Sequence, residues 1–123
     1  MSGLTDVASI KRQLQIKTGV VKRLAKEESS YLTEAKQQEE RIQKFIDEER
    51  DEYDVKQQRS VLADTLKMIP DCRKRLQLAA DDLVNYVEGV QEEPEVASSS
   101  EFSAAKQLLS DTQLQLESDL PAV

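Results

Sequence analysis

Apolar residues recur at every seventh position through the middle of the chain, and this spacing constrains the fold more than any other feature. The series consists of Val55, Leu62, Ile69, Leu76, Leu83 and Val90. Because an α-helix completes two turns in about seven residues, the series lines up along one helix face, as in coiled-coil packing. Pro70 lies inside it, where a proline removes a backbone donor and clashes with the preceding turn. Since the spacing is kept across Pro70, the sequence predicts one helix over about 54–90 that is kinked there.

A less regular series predicts a first helix over about 6–46. One core position holds Val7, Leu14, Val21, Ala35 and Ile42, and the position three residues later holds Ile10, Leu24, Tyr31 and Phe45. Thr5 and Asp6 carry side-chain oxygens that can accept hydrogen bonds from first-turn amides, so the helix is expected to begin there. At about 1.5 Å per residue this helix is about 60 Å long. The sequence therefore predicts an elongated molecule.

Segment 47–53 separates the two series and is expected to form an acidic turn. Residues 47–54 hold six acids and one base, and the register of the apolar series shifts by one residue across them. Asp54 and Gln57 have the spacing of a capping box, which predicts Asp54 as the cap of the second helix.

Residues 91–99 lack an apolar period and are expected to form a connector. Ser99 or Ser100 can then cap a third helix over about 100–118. Its apolar face would consist of Phe102, Ala105, Leu109, Thr112 and Leu116.

These patterns predict a single all-α domain over 1–123, an elongated three-helix bundle with coiled-coil-like heptad packing. Three Gly, three Pro and 4% aromatic residues argue against a strand-rich sandwich or barrel. Helices one and two are expected to lie antiparallel because their connection is short. The residues with an expected structural role in the second helix are Pro70, Cys72, Val55, Leu62, Ile69, Leu76 and Leu83.

Several classes of function are disfavoured by composition. The chain has no His, which removes the commonest general base and zinc nitrogen ligand. It has no Gly-rich phosphate loop, and its acidic runs lack calcium-loop spacing, so no catalytic, cofactor or metal site is expected. Cys72 has no second cysteine to pair with, and the charged start resembles neither a signal peptide nor a membrane span, which favours a cytosolic location. Cys72 itself is expected to be a buried thiol.

Charge is distributed unevenly along the chain. The net charge is −7, with a pI near 4.7, which argues against nucleic acid or an anionic membrane as the main target. Residues 1–46 hold nine bases and six acids, a balance of +3, whereas residues 91–123 hold one base and seven acids, a balance of −6. A basic surface is therefore expected on the first helix.

Polar residues at core positions of the first helix have two interpretations. Lys17, Glu28 and Gln38 fall where the apolar series predicts the core, although burying an unpaired charge is unfavourable. They either fix the helix register or mark a part of the helix left open for a partner.

Gly19 lies inside the first helix, where glycine costs up to about 1 kcal/mol relative to alanine. It is either a tolerated surface residue, with Ile16 and Val20 packing on the third helix, or a point that a partner approaches closely.

Four ordered motifs resemble the tubulin-binding cofactor A family. They are the Ile16–Leu24 run IKTGVVKRL, Tyr31 followed by EAKQQEE over 34–40, the pair Tyr53-Asp54, and MIPDC over 68–72 with Arg75-Leu76. The resemblance covers most of the first two helices and implies a three-helix bundle with a proline-associated bend.

The resemblance also implies a function. It implies a tubulin-folding cofactor that captures β-tubulin folding intermediates released from the cytosolic chaperonin and passes them toward α/β-tubulin heterodimer assembly. Nucleotide hydrolysis is not implied, so the chain is not expected to be an enzyme. Other tubulin-folding cofactors are further expected partners, a monomer is favoured over a homodimer, and the location is cytoplasmic and cytoskeleton-associated. The alternative is a structural coiled-coil homodimer or prefoldin-like chaperone subunit without tubulin specificity, because amphipathic heptads also suit self-association.

The charge balance and Gly19 together lead to a hypothesis for the β-tubulin surface. Its expected residues are Ile16, Lys17, Gly19, Val20, Lys22, Arg23, Lys26, Arg73, Lys74 and Arg75.

Overall fold

The computed structural model describes residues 6–122, and all the regular structure in that range is helical. The elements are α1 (Val7–Asp47), α2 (Glu52–Val90), α3 (Pro94–Ala97) and α4 (Ser100–Glu117). The all-α prediction is confirmed, but the described residues contain four helices where the sequence predicts three. The additional helix, α3, is a single turn inside the expected connector. Pro94 begins it, since a proline at the first helical position loses no intrahelical hydrogen bond.

The helix ends follow from local capping. Asp6 accepts a hydrogen bond from the Ala8 amide at 3.1 Å, as expected, while Thr5 lies outside the described residues. The predicted cap at Asp54 is wrong: α2 begins two residues earlier, and Asp51 accepts from the Tyr53 amide at 3.1 Å. Asp51 is the better cap because it directly precedes the first turn of α2. Ser99 caps α4 by accepting from the Phe102 amide at 3.2 Å.

The turn between α1 and α2 forms without glycine. Glu49 adopts a positive φ of 55°. The Glu49 amide donates to the Ile46 carbonyl at 3.0 Å, and the Arg50 amide donates to the Phe45 carbonyl at 2.9 Å, which is the pattern of a Schellman motif. The guanidinium of Arg50 also lies 4.1 Å from the centre of the Phe45 ring. These contacts offset the cost of about 1–2 kcal/mol for a left-handed residue that has a Cβ atom.

Tertiary contacts divide the described chain into two compact units. The first unit contains residues 6–25 and 75–118, and the second contains residues 26–74 and 119–122. Both α1 and α2 contribute one segment to each unit.

The first unit has an apolar core made by α1, α2, α3 and α4. Its buried residues are Ile10, Leu14, Val21, Leu24, Leu76, Leu83, Val87, Val96, Phe102 and Ala105. Leu14, Leu76 and Leu83 have no measurable exposure, as expected of residues that fill the heptad core positions. Gln115 of α4 also donates to the carbonyl of Ala25 in α1 at 3.0 Å. Apolar packing and this hydrogen bond both join α4 to α1.

The second unit is a helical hairpin with a smaller and more polar interior. Its buried apolar residues are Ala35, Ile42, Ile69 and Cys72, and its buried polar residues are Glu28, Gln38 and Thr65. Cys72 is 1% exposed, which confirms the prediction of a buried thiol. Val55 and Leu62, expected in the core, are only half-buried.

Pro70 lies inside α2, which continues through it from Glu52 to Val90. The prediction that one helix crosses Pro70 is therefore confirmed. Pro70 is exposed, so its pyrrolidine ring faces solvent in the second unit. The bend at this residue stays a prediction.

Candidate partner-binding surface

One exposed strip of α1 in the first unit carries four of the residues expected to contact a partner. Ile16 is 52% exposed, and Gly19, Lys22 and Arg23 are also exposed. Residues three, four and seven positions apart lie on the same helix face, so Ile16, Gly19 and Arg23 follow one another along the strip. Neither Lys22 nor Arg23 forms an ion pair within residues 6–122. The strip therefore presents two available cations beside an exposed apolar side chain.

Lys17 and Val20 lie beside this strip and have internal contacts. The ammonium of Lys17 is 2.7 Å from an Asp82 carboxylate oxygen and 5.4 Å from the centre of the Tyr86 ring. Val20 is half-buried and packs against the apolar core. Both side chains thus contribute to the packing of the first unit.

Gly19 has no steric reason to be glycine within the described protein. Apart from its chain neighbours and the backbone of its own helix, a Cβ atom built at Gly19 would meet no atom of the described protein within 4 Å. The residue borders an open groove of about 460 Å³, together with Gln15 and Thr18 of α1 and Ser100, Glu101 and Ala104 of α4. Packing within residues 6–122 therefore does not account for this glycine.

Three of the expected surface residues belong to the second unit and differ in exposure. Lys26 and Lys74 are exposed. The side chain of Arg73 is only 16% exposed, and its guanidinium holds the carboxylate of Glu28. The Arg73 Nε atom donates to Glu28 Oε2 at 2.6 Å and the Nη2 atom to Oε1 at 3.1 Å. Arg75, the remaining expected residue, is exposed in the first unit.

The ion pair of Glu28 and Arg73 is the main feature of the second unit that sequence reasoning missed. Glu28 has no measurable exposure, so its charge is stabilised by a bidentate partner rather than by water. The signal was an acid at a core position, because a buried carboxylate is normally paired with a cation or hydrogen-bonded. This pair favours the first of the two interpretations offered for Glu28, that it fixes the helix register.

The described residues also lack the features of a metal site and of a membrane-spanning helix. Within residues 6–122, no cluster of three or more His, Cys, Asp or Glu side chains has a metal-binding arrangement. None of the helices described has an apolar stretch of the length required to cross a membrane.

Comparisons with known proteins agree with the resemblance seen in the motifs. A family model described as tubulin binding cofactor A matches residues 9–109. The tubulin-specific chaperone A of Gallus gallus is 45% identical over 104 residues, which is 85% of this chain and 94% of that protein. The crystal structure of tubulin folding cofactor A from Arabidopsis thaliana superposes with a TM-score of 0.79 at 34% identity, covering 88% of this chain and 99% of that one. Human tubulin chaperone cofactor A gives a TM-score of 0.70 at 41% identity, covering 85% and 98%. The chain therefore belongs to the tubulin binding cofactor A family.

Proposed function

We propose that this chain captures β-tubulin folding intermediates released from the cytosolic chaperonin and passes them toward α/β-tubulin heterodimer assembly. The family assignment supports tubulin as the partner. In this proposal the protein acts in the cytoplasm as a monomeric, non-enzymatic chaperone beside other tubulin-folding cofactors. Its three long helices form the family's bundle, with α2 bent at Pro70.

The single observation that carries the proposed contact site is the exposed strip of α1. Lys22 and Arg23 are exposed without ion-pair partners in residues 6–122, and Ile16 lies one helical turn before Gly19 on the same strip. Unpaired cations next to apolar surface suit an acidic client, because charge complementarity guides association while apolar contact retains the complex. The proposed β-tubulin contacts also include three further exposed basic residues, Lys26, Lys74 and Arg75. Arg73 is left out because its guanidinium is occupied by Glu28.

Charge reversal tests the strip. We expect the double variant Lys22→Glu/Arg23→Glu to weaken β-tubulin binding by about tenfold or more, because two attractive contacts become repulsive. The measurement is size-exclusion chromatography with light scattering of the full chain, mixed separately with α-tubulin and β-tubulin, with affinity then measured by titration.

The matched control is Arg59→Glu/Lys67→Glu, which makes the same charge change at two exposed positions of α2. Circular dichroism verifies that both variants keep their helix content. If both variants lose the same affinity, only net charge matters and the strip is not the site. If the unchanged protein binds neither tubulin, the proposed function itself fails.

Gly19 provides a second test in which stability and binding change in opposite directions. We expect Gly19→Ala to raise the free energy of unfolding by up to about 1 kcal/mol, because alanine is the better helix residue and its Cβ meets no atom beyond its own local helix within 4 Å. If β-tubulin approaches this backbone closely, the same variant should bind β-tubulin less tightly.

The control for Gly19→Ala is Gly89→Ala, since Gly89 is also helical and a Cβ there also meets nothing within 4 Å. Gly89→Ala should leave binding unchanged. Unchanged β-tubulin affinity in a stabilised Gly19→Ala variant would place the contact elsewhere.

A further inference from the structure

A second surface lies between α2 and α4 of the first unit and is separate from the α1 strip. It is an open groove of about 420 Å³. The apolar side chains lining it are Ala80, Val84, Leu109 and Leu116. Val84 is 37% exposed and Leu109 and Leu116 are half-buried, so apolar surface in the groove is still open to solvent. A groove between two helices is a common receptor for a third helix.

The charged groups of this groove are both acidic. They are Asp81 on α2 and Glu117 on α4, and neither forms an ion pair among the described residues. A glutamine one turn earlier orients each carboxylate: Gln77 donates to Asp81 at 2.9 Å, and Gln113 donates to Glu117 at 3.1 Å. The groove therefore has apolar side chains along its lining and two carboxylates without ion-pair partners within residues 6–122, which make its edge negatively charged.

Thr112 adds an observation that is independent of charge. It lines the same groove and is 2% exposed, and its hydroxyl oxygen is buried without a hydrogen-bond partner in the described chain. Buried polar groups are normally hydrogen-bonded to protein or water. The hydroxyl lies beneath the accessible surface of the groove, so it marks an unsatisfied polar group at this site and not a contact that is open to a partner.

We propose that this groove binds an amphipathic helix of another protein, one whose apolar stripe is flanked by Lys and Arg. Its apolar residues pack on Val84, Leu109 and Leu116, and its cations pair with Asp81 and Glu117. The basic strip of α1 suits an acidic client, so the two surfaces select partners of opposite charge. The proposal extends the function described above and does not depend on it, because no tubulin contact is assumed.

The test uses two synthetic helical peptides, each as long as the 18-residue α4. Both carry the same leucine stripe, which is flanked by Lys in one peptide and by Glu in the other. We expect the Lys peptide to bind the full chain about tenfold or more tightly than the Glu peptide, as is reasonable for two complementary charge pairs beside an apolar contact. Amide chemical shifts should change around Val84 and Leu109 and stay constant around Arg23.

Variants then locate the site. Asp81→Lys/Glu117→Lys should reverse the preference between the peptides. The control Glu95→Lys/Asp111→Lys makes the same charge change at two exposed acids of the first unit that do not line the groove. Asp111 resembles Glu117 in accepting from a glutamine one turn earlier, at 3.1 Å.

The proposal would be overturned by equal binding of both peptides, by shift changes confined to α1, or by the same reversal in the control variant. Light scattering is run on the free chain at the same concentrations. A dimer that dissociates only in Asp81→Lys/Glu117→Lys would assign the groove to a second copy of the chain instead.

Discussion

Replacing Arg73 with alanine should lower the free energy of unfolding by about 3–5 kcal/mol, because the change removes a bidentate cation from a buried carboxylate. Glu28 has no measurable exposure, and both of its oxygens accept from the Arg73 guanidinium, at 2.6 and 3.1 Å. Urea unfolding followed by circular dichroism at pH 7 measures the loss directly.

Two controls separate the ion pair from a general effect of truncation. Lys74→Ala removes a neighbouring, exposed cation and should change stability by no more than about 0.5 kcal/mol. The double variant Glu28→Leu/Arg73→Met removes both charges and should recover most of the loss, since apolar residues of similar size often replace a buried pair at little cost. A loss in Arg73→Ala no larger than that in Lys74→Ala would show that the pair contributes little to stability.

The heptad series predicts which helices form because spacing is a local property of the sequence. It does not predict how deeply each member is buried. Leu76 and Leu83 are fully buried in the first unit, where α4 completes the packing, whereas Leu62 is half-buried in the second. A hairpin of two helices covers only part of each apolar stripe. The burial of a heptad residue therefore depends on which helices pack against it. The seven-residue spacing carries no information about that packing.

The candidate site was partly predictable for a similar reason. The excess of bases in residues 1–46 correctly indicates exposed cations on α1, and Lys22 and Arg23 are exposed. The same reasoning included Lys17 and Arg73, whose partners lie far along the chain: Asp82 is 65 residues from Lys17 and Glu28 is 45 residues from Arg73. A tally of charges along a sequence cannot separate a free cation from one paired across two helices.

The short helix α3 was missed because its signal is tertiary rather than periodic. It has four residues, too few for a repeating apolar pattern. Val96, in its middle, has no measurable exposure and joins the core of the first unit. One buried side chain and Pro94 at the first position thus define a turn of helix within a polar connector.

Leu83→Ala should lower the free energy of unfolding by about 2–5 kcal/mol, the range for removing a fully buried leucine side chain and leaving a cavity. Leu83 has no measurable exposure and lies in the core cluster of the first unit. Thermal and urea unfolding of the full chain measure the change.

Leu62→Ala is the matched comparison, because Leu62 occupies the same heptad position of the same helix, three heptads earlier. It is half-buried in the second unit, so less apolar area returns to water and the cavity is open to solvent. We expect a loss of about 1–2 kcal/mol there, and less again for Leu78→Ala, since Leu78 is 64% exposed. Equal losses at Leu83 and Leu62 would mean that position in the heptad, rather than packing within each unit, sets the contribution of a leucine. The expected order, Leu83 above Leu62 above Leu78, instead requires that α4 and the other helices of the first unit determine which part of the apolar stripe stabilises the protein.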